Sequence, residues 1–570
     1  MTTQGYDVAV IGAGHNGLVC ANYLARTGLK VFVAEARGML GGACTTEELF
    51  PGARFSSCSY IQMMLRHEVV EDLELRKYGL VSVAPEMQEM ALWQDGDHVA
   101  LWQDIDRTLR SIEAHSRQDG PNFMRFATRL RRFGDITQSA LLSDPPDSES
   151  LRRVFRDLGE EELFEEFVLL SAEELLDRYI VSDRLRGFMM FMGMVSTWGS
   201  PNTPGTAYVY GYHAQGEFER HFGRYGLPRD GMGMIAEALA NGLRAHGGVL
   251  RTNAPVRGVR VEDGAATGLV LRNGEIIAAR IVVSGADPKR SLVHLLPAGA
   301  LPAAVTAKAR DIDQRGSMAR IHLLVDALPD YVGFPAGQSG PQHQGLTILG
   351  PTPALYEQAW QAQQRGEFAD DYVIEALIPS VTHPGLAPLG MHTLSLGVQQ
   401  LPFTLARQSW AERGEEWADR VMEMYFRYAP NMRGAIRGRH VITPLDLERT
   451  YNITGGNIFH ASMIGLENLF ACRPIPEAAG YRTPIRGYYL CGAGSHPGGG
   501  VTGAPGHNAA HRILADLEGR PGERVARRVE PYEQGVLNGL LKTAVGQTLG
   551  YKVARSRLFR AVSKRLNRDR

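Results

Sequence analysis

YDVAVIGAGHNGL, residues 6–18, is the stretch whose reading decides the fold. YDVAVI is a short apolar run with β-branched residues, as a buried parallel strand requires. Gly12-Ala13-Gly14-His15-Asn16-Gly17 follows as G-x-G-x-x-G, and residues 18–27 carry apolar side chains at helical spacing up to a C-cap glycine, Gly28. Val31-Phe32-Val33 reads as a second strand, and Glu35 stands at its end, 18 residues after Gly17. Strand, tight turn, helix, strand, acid is the order of a dinucleotide-binding unit. Gly12 permits the turn, Gly14 lets the backbone approach a pyrophosphate, and Gly17 lets the helix pack on the sheet. The helix N-terminus offers unpaired N–H groups to the phosphates. Glu35 can accept hydrogen bonds from a ribose.

Outward from that stretch, 570 residues suggest two to four domains. A net charge of -1 gives no general attraction for nucleic acid, so no nucleic-acid partner is expected. The five cysteines form no CxxC pair, which argues against a redox disulfide and a thiolate zinc site, and no metal is expected. A reducing, cytoplasmic compartment is the simplest reading. The first residues lack a basic n-region and an apolar h-region, and no run reaches membrane-span length.

A second glycine-rich stretch, CGAGSHPGGGVTGAPGHN at residues 491–508, raises the question of a second nucleotide. It has a strand before it (residues 488–491) and a helix after it (residues 504–515), but no ribose acid beyond. Gly231-Met232-Gly233-Met234 lacks a third glycine, an upstream strand and an acid. One dinucleotide is therefore expected. Arg37 and Gly41-Gly42 follow directly on Glu35, a second glycine turn that a simple NAD unit does not need.

The order E-x-R-x-x-x-G-G resembles the flavin-binding signature of the amine oxidase and phytoene desaturase superfamily. With TPLDLERTYNITGGNIFH (residues 443–460) and ACRPIPEAAGYRTPIRGYYLCGAGSHPGGGVTGAPGHNAA (residues 471–510), the chain resembles a phytoene desaturase-related group. That group includes the pyridine nucleotide-disulfide oxidoreductase domain-containing proteins and the desaturase-type carotenoid ketolases. His15-Asn16 departs from carotenoid desaturases, which often carry small or aromatic residues there. The resemblance implies one FAD in an α/β fold, with a discontinuous Rossmann-like FAD-binding domain and an inserted α+β substrate domain. The expected division is residues 1–85, 230–300 and 456–520 for FAD, 86–229 and 301–455 for substrate, and a basic helical tail over 521–570. The cofactor-binding set it implies is Gly12, Gly14, His15, Asn16, Gly17, Glu35, Ala36, Arg37, Gly41, Gly42 and Ala43 around the first loop. Val256 and Ala286 come from the middle of the chain. Gly492, Gly494, Gly499, Gly500, Val501 and Thr502 come from the second loop, at the flavin end.

Between these blocks, residues 234–245 read as a helix and residues 281–283 as a buried strand. Residues 320–325, 347–349 and 372–379 read as strands of a second sheet, and residues 160–180 and 410–428 as helical. Residues 186–195, RGFMMFMGMV, are either core or the wall of an apolar tunnel, since methionine adapts to irregular apolar shapes. One FAD and no nicotinamide module imply an oxidoreductase acting on C–H/C=C bonds of a lipophilic, isoprenoid-like substrate, with hydride transfer to flavin N5 and desaturation. Quinone or oxygen is then the electron acceptor. Candidate bases are His496, His213 and Tyr210, with His507 beside them, each weighed against a packing role. The alternatives are ketolation, hydration or isomerisation at the same site, or a weakly catalytic flavoprotein acting through interaction. The second is motivated by residues 552–570, KVARSRLFRAVSKRLNRDR, readable as a basic amphipathic helix on the inner face of a membrane or as a solvated helix.

Overall fold

The computed structural model describes residues 5–519, so the tail expected over 521–570 lies outside the described residues. Strand Tyr6–Ile11 sits inside a seven-stranded sheet. It pairs in parallel with Val31–Ala34 on one side and with Ile276–Ser284 on the other. Val249–Arg251 continues the parallel order beyond Val31–Ala34. The long strand Ile276–Ser284 has two partners on its far edge. Its first half joins an antiparallel meander with Ala265–Leu271 and Val256–Glu262, and its second half pairs in parallel with Tyr488–Leu490. Inside the sheet, residues 8–11, Val31–Ala34 and Tyr488–Leu490 are buried on both faces, which is why they read as unbroken apolar runs rather than alternating ones, while the edge strand Val249–Arg251 is partly exposed.

Three helices cover one face of this sheet: His15–Arg26, Gly233–Ala245 and Ala504–Leu517. Asn22 Nδ2 ties the first two together by donating to the carbonyls of Leu18 and Leu239, both at 2.8 Å. Gly506 brings the last helix onto the first, because a Cβ there would overlap the Asn16 carbonyl. The two glycine-rich stretches are thereby set side by side although 480 residues separate Gly12 from Gly492.

A second seven-stranded sheet runs in the order Ile436–Ile442, Ala319–Val325, His392–Val398, Ile374–Leu377, Leu346–Leu349, Met87–Leu92, His98–Trp102. Only the Leu346–Leu349 pairing with Met87–Leu92 is parallel. Leu92, Leu349, Ile374 and Leu396 pack under helix Trp410–Tyr425. Ala91, Val99 and Ile348, on the other face, meet the helical layer drawn from residues 105–214.

One local expectation is corrected. Residues 160–180 are not one helix: a wide turn at Glu165–Leu169 ends it, and Ser171 starts a new helix, Ala172–Asp177. Ser171 and Glu174 form a capping box, a local bonding pattern that competes with helix continuation. Tyr208, Tyr210 and His213 lie on the helix Thr206–Ala214, entered through Gly205. Among the described residues no helix is long and apolar enough to cross a membrane.

Candidate active site

A cavity of about 330 Å³ runs from the C-terminal ends of the parallel strands to the second sheet. At the first glycine loop, Glu35 is fixed by the backbone. Its Oε2 accepts from Ala13 N at 2.8 Å and its Oε1 from Arg37 N at 2.9 Å, leaving lone pairs for a ribose. Gly12 has φ +90°, which a side chain would strain, and a Cβ built on it meets nothing within 4 Å, so the turn leaves open space. Gly41 explains the second glycine turn. It has φ +103°, a Cβ on it would overlap the Cys44 carbonyl, and its N–H donates to Ala13 O at 2.9 Å. The turn thus closes onto the first loop, with Gly42 against Gly14.

Of the residues expected to bind the cofactor, Gly12, Gly14, His15, Asn16, Gly17, Glu35, Ala36, Arg37, Gly41, Gly42, Ala43, Val256, Ala286, Gly500 and Val501 line this one cavity. Arg37 pairs with Glu47 at 2.6 Å and covers the Tyr451 ring at 4.7 Å. Gly492, Gly494, Gly499 and Thr502 do not line it. Gly492 and Gly494 back onto Gly285 and Pro288, Gly499 onto Phe459, and Thr502 Oγ1 accepts from Ala504 N at 3.1 Å. These four shape the loop from behind.

The base candidates separate. His213 lines the cavity, with its ring 5.4 Å from that of Phe459. Its Nδ1 lies 2.9 Å from Met192 O, and as the donor it leaves Nε2 as the basic nitrogen. Burial pushes His213 down to about 4, so the ring is neutral at ordinary pH. His496 is a correction. Its Nε2 lies 2.8 Å from Ala140 O and the side chain does not line the cavity, because the loop turns it toward helix Asp119–Leu141. Tyr210 is likewise turned away, edge-on to Phe126 in the helical core, and His507 is held between Asn508 and His511. The methionine-rich helix Asp183–Met194 serves both roles: Phe191 and Met192 face the cavity, while Met190 and Met194 are buried core.

Sequence reasoning missed several lining residues. Arg272, Arg290 and His294 line the cavity too, and His460 lies near His15. Tyr60, Met63, Met64, Arg320 and Gln399 line the part that faces the second sheet. Tyr60, Met63 and Met64 had one sequence signal, the run SCSYIQMML at residues 57–65, polar and then apolar directly after the first unit.

Residues 17–353 match the family described as flavin containing amine oxidoreductase. The chain belongs to this family. It is 35% identical over 547 residues to pyridine nucleotide-disulfide oxidoreductase domain-containing protein 2 of Rattus norvegicus, covering 90% of this chain and 94% of that one. It is 26% identical over 545 residues to a limonene dehydrogenase chain of Castellaniella defragrans, covering 90% and 95%. In fold it is similar to an oxidoreductase from Methanosarcina mazei, with a TM-score of 0.56 and 16% identity over 89% of this chain and 99% of that one. A flavin containing amine oxidoreductase uses FAD, and the protein is an FAD-dependent oxidoreductase of this family. The residues present fit the cofactor. Glu35 is oriented, the glycine turn is open, and two buried polar atoms, His15 Nε2 and Asn16 Oδ1, have no protein partner beside the cleft.

Proposed function

We propose that the protein removes two hydrogens from neighbouring carbons of a largely apolar substrate, leaving a double bond. The observation that carries this reading is the lining beyond the nucleotide loops: Ile61, Met63, Met64, Phe191, Met192, Val195, Leu346 and Phe459, joined by the ring of a neutral histidine. When bound, FAD supplies the two-electron acceptor that takes a hydride from a substrate C–H. The apolar walls exclude water and hold the substrate carbons in one orientation. His213 Nε2 takes the proton from the adjacent carbon, and its Nδ1–H bond to Met192 O fixes the tautomer. The name of the Castellaniella relative supports the same substrate class, since limonene is a hydrocarbon.

The test is anaerobic reduction of the bound flavin by a panel of lipophilic compounds, with mass spectrometry of the products. Flavin bleaching with loss of two hydrogens is expected. Gain of oxygen or water would replace desaturation by ketolation or hydration, and bleaching only by hydrophilic amines would overturn the apolar reading.

A further inference from the structure

Within the apolar lining one charged group stands out. Arg320 lies on strand Ala319–Val325, is 3% exposed and lines the cavity. Its Nε has no hydrogen-bond partner, and one face of the guanidinium is covered by the Tyr60 ring at 3.8 Å. The carboxyl group facing it, that of Glu375, reaches only to 3.5 Å from Nη2, and Glu375 Oε1 already accepts from Gln399 Nε2 at 3.1 Å. Gln399 is fixed at its other end as well, with Oε1 accepting from Ser196 N at 2.9 Å. Burial pulls Arg320 down to about 10, which still leaves it a cation at neutral pH.

This arrangement is built across three adjacent strands. Arg320 is opposite Gly397, and Gly397 is opposite Glu375. A Cβ on Gly397 would overlap the Glu375 carboxyl group, so the glycine is what lets Glu375 lie over the middle strand toward Arg320. Removing a guanidinium from water costs several kcal/mol unless it is paired and fully hydrogen-bonded. Here the pairing is long, one donor is unused, and the residue lines the cavity.

We propose that Arg320 receives the carboxylate of the substrate, so that the substrate is an amphipathic acid with an apolar body and one acidic head. This rests on the apolar reading above and narrows it. A guanidinium binds a carboxylate through parallel N–H bonds, and Nε with an Nη is one such edge. The carboxylate anchors one end of the molecule at Arg320, and the methionine-lined wall holds the remainder.

Equilibrium binding to the flavin-loaded full chain tests it, read by tryptophan fluorescence, with matched straight-chain acids, primary alcohols and alkanes of eight to sixteen carbons. The acid is expected to bind at least tenfold more tightly than the alcohol of equal length. In Arg320→Met that preference disappears while alcohol binding and flavin content stay as they were, and Arg320→Lys keeps part of it. Equal binding of acid and alcohol by the unmodified protein overturns the inference and leaves the apolar reading standing. Failure of all three series to bind overturns both. Loss of flavin from Arg320→Met with the acid preference intact would assign the guanidinium to the cofactor and overturn the inference.

Discussion

At the scale of single residues, the two histidines beside the cofactor cleft invite opposite expectations. His213 lines the cavity as a neutral ring, and its acid limb is set by burial, which pushes it down to about 4. A base must be unprotonated to act, so the rate should hold from neutral pH downward and fall only as pH approaches about 4, not about 6.5. His213→Gln should lower kcat roughly 10²–10⁴-fold with flavin content unchanged, the range general bases contribute. An unaltered kcat would show that no dedicated base is needed. His496→Leu should leave the chemistry nearly intact and cost stability of about 1–3 kcal/mol, because the Ala140 carbonyl loses its buried donor. The sequence offers both histidines as base candidates, and the family resemblance puts only His496 in the loop at the flavin end. It cannot tell which way a loop side chain turns, because that depends on a helix some 350 residues earlier in the chain.

At the scale of elements, the first unit was legible because its signals are local. The strand Tyr6–Ile11, the glycine turn, the helix and Glu35 all lie within 30 residues, and each residue type has one steric or electrostatic task. The division of labour between the glycines is testable. Gly12→Ala places a methyl group in open space at φ +90°, so it should weaken flavin retention while the flavin-free protein loses only about 1 kcal/mol. Gly41→Ala drives a methyl group into the Cys44 carbonyl, so the flavin-free protein itself should unfold at clearly lower urea. Equal urea midpoints for the two variants would refute this assignment. The row Arg320–Gly397–Glu375 was not legible, since cross-strand register joins residues separated by as many as 77 positions and leaves no periodic trace. The same holds for the helix Thr206–Ala214, whose tyrosines pack as core while His213 reaches the cavity.

At the scale of the whole molecule, burial of ionisable groups fixes how stability responds to acid. His15 and His322 are pushed down to about 3, and His213, His496 and His507 to about 4, burial being the first cause for each. Between about pH 4 and the ordinary histidine value of 6.5, the unfolded chain binds these five protons and the folded chain does not. Acidification therefore favours unfolding. Two buried carboxyls act the other way. Glu89, raised to about 7, and Glu375, raised to about 8, keep protons in the folded state that the unfolded chain releases above 4.5. Over these seven groups, five minus two leaves three protons taken up on unfolding near pH 5; the downward shifts of His221, His343, His392 and His460 act in the same direction and the upward shift of His67 against it. At about 1.4 kcal/mol per proton per pH unit, stability should fall by about 4 kcal/mol per pH unit there. Urea midpoints of the flavin-loaded protein between pH 7 and pH 4.5 measure this directly. A flat profile would mean that the buried histidines gain protons in the folded state near their ordinary value, and His213 could then no longer serve as a neutral acceptor below pH 6.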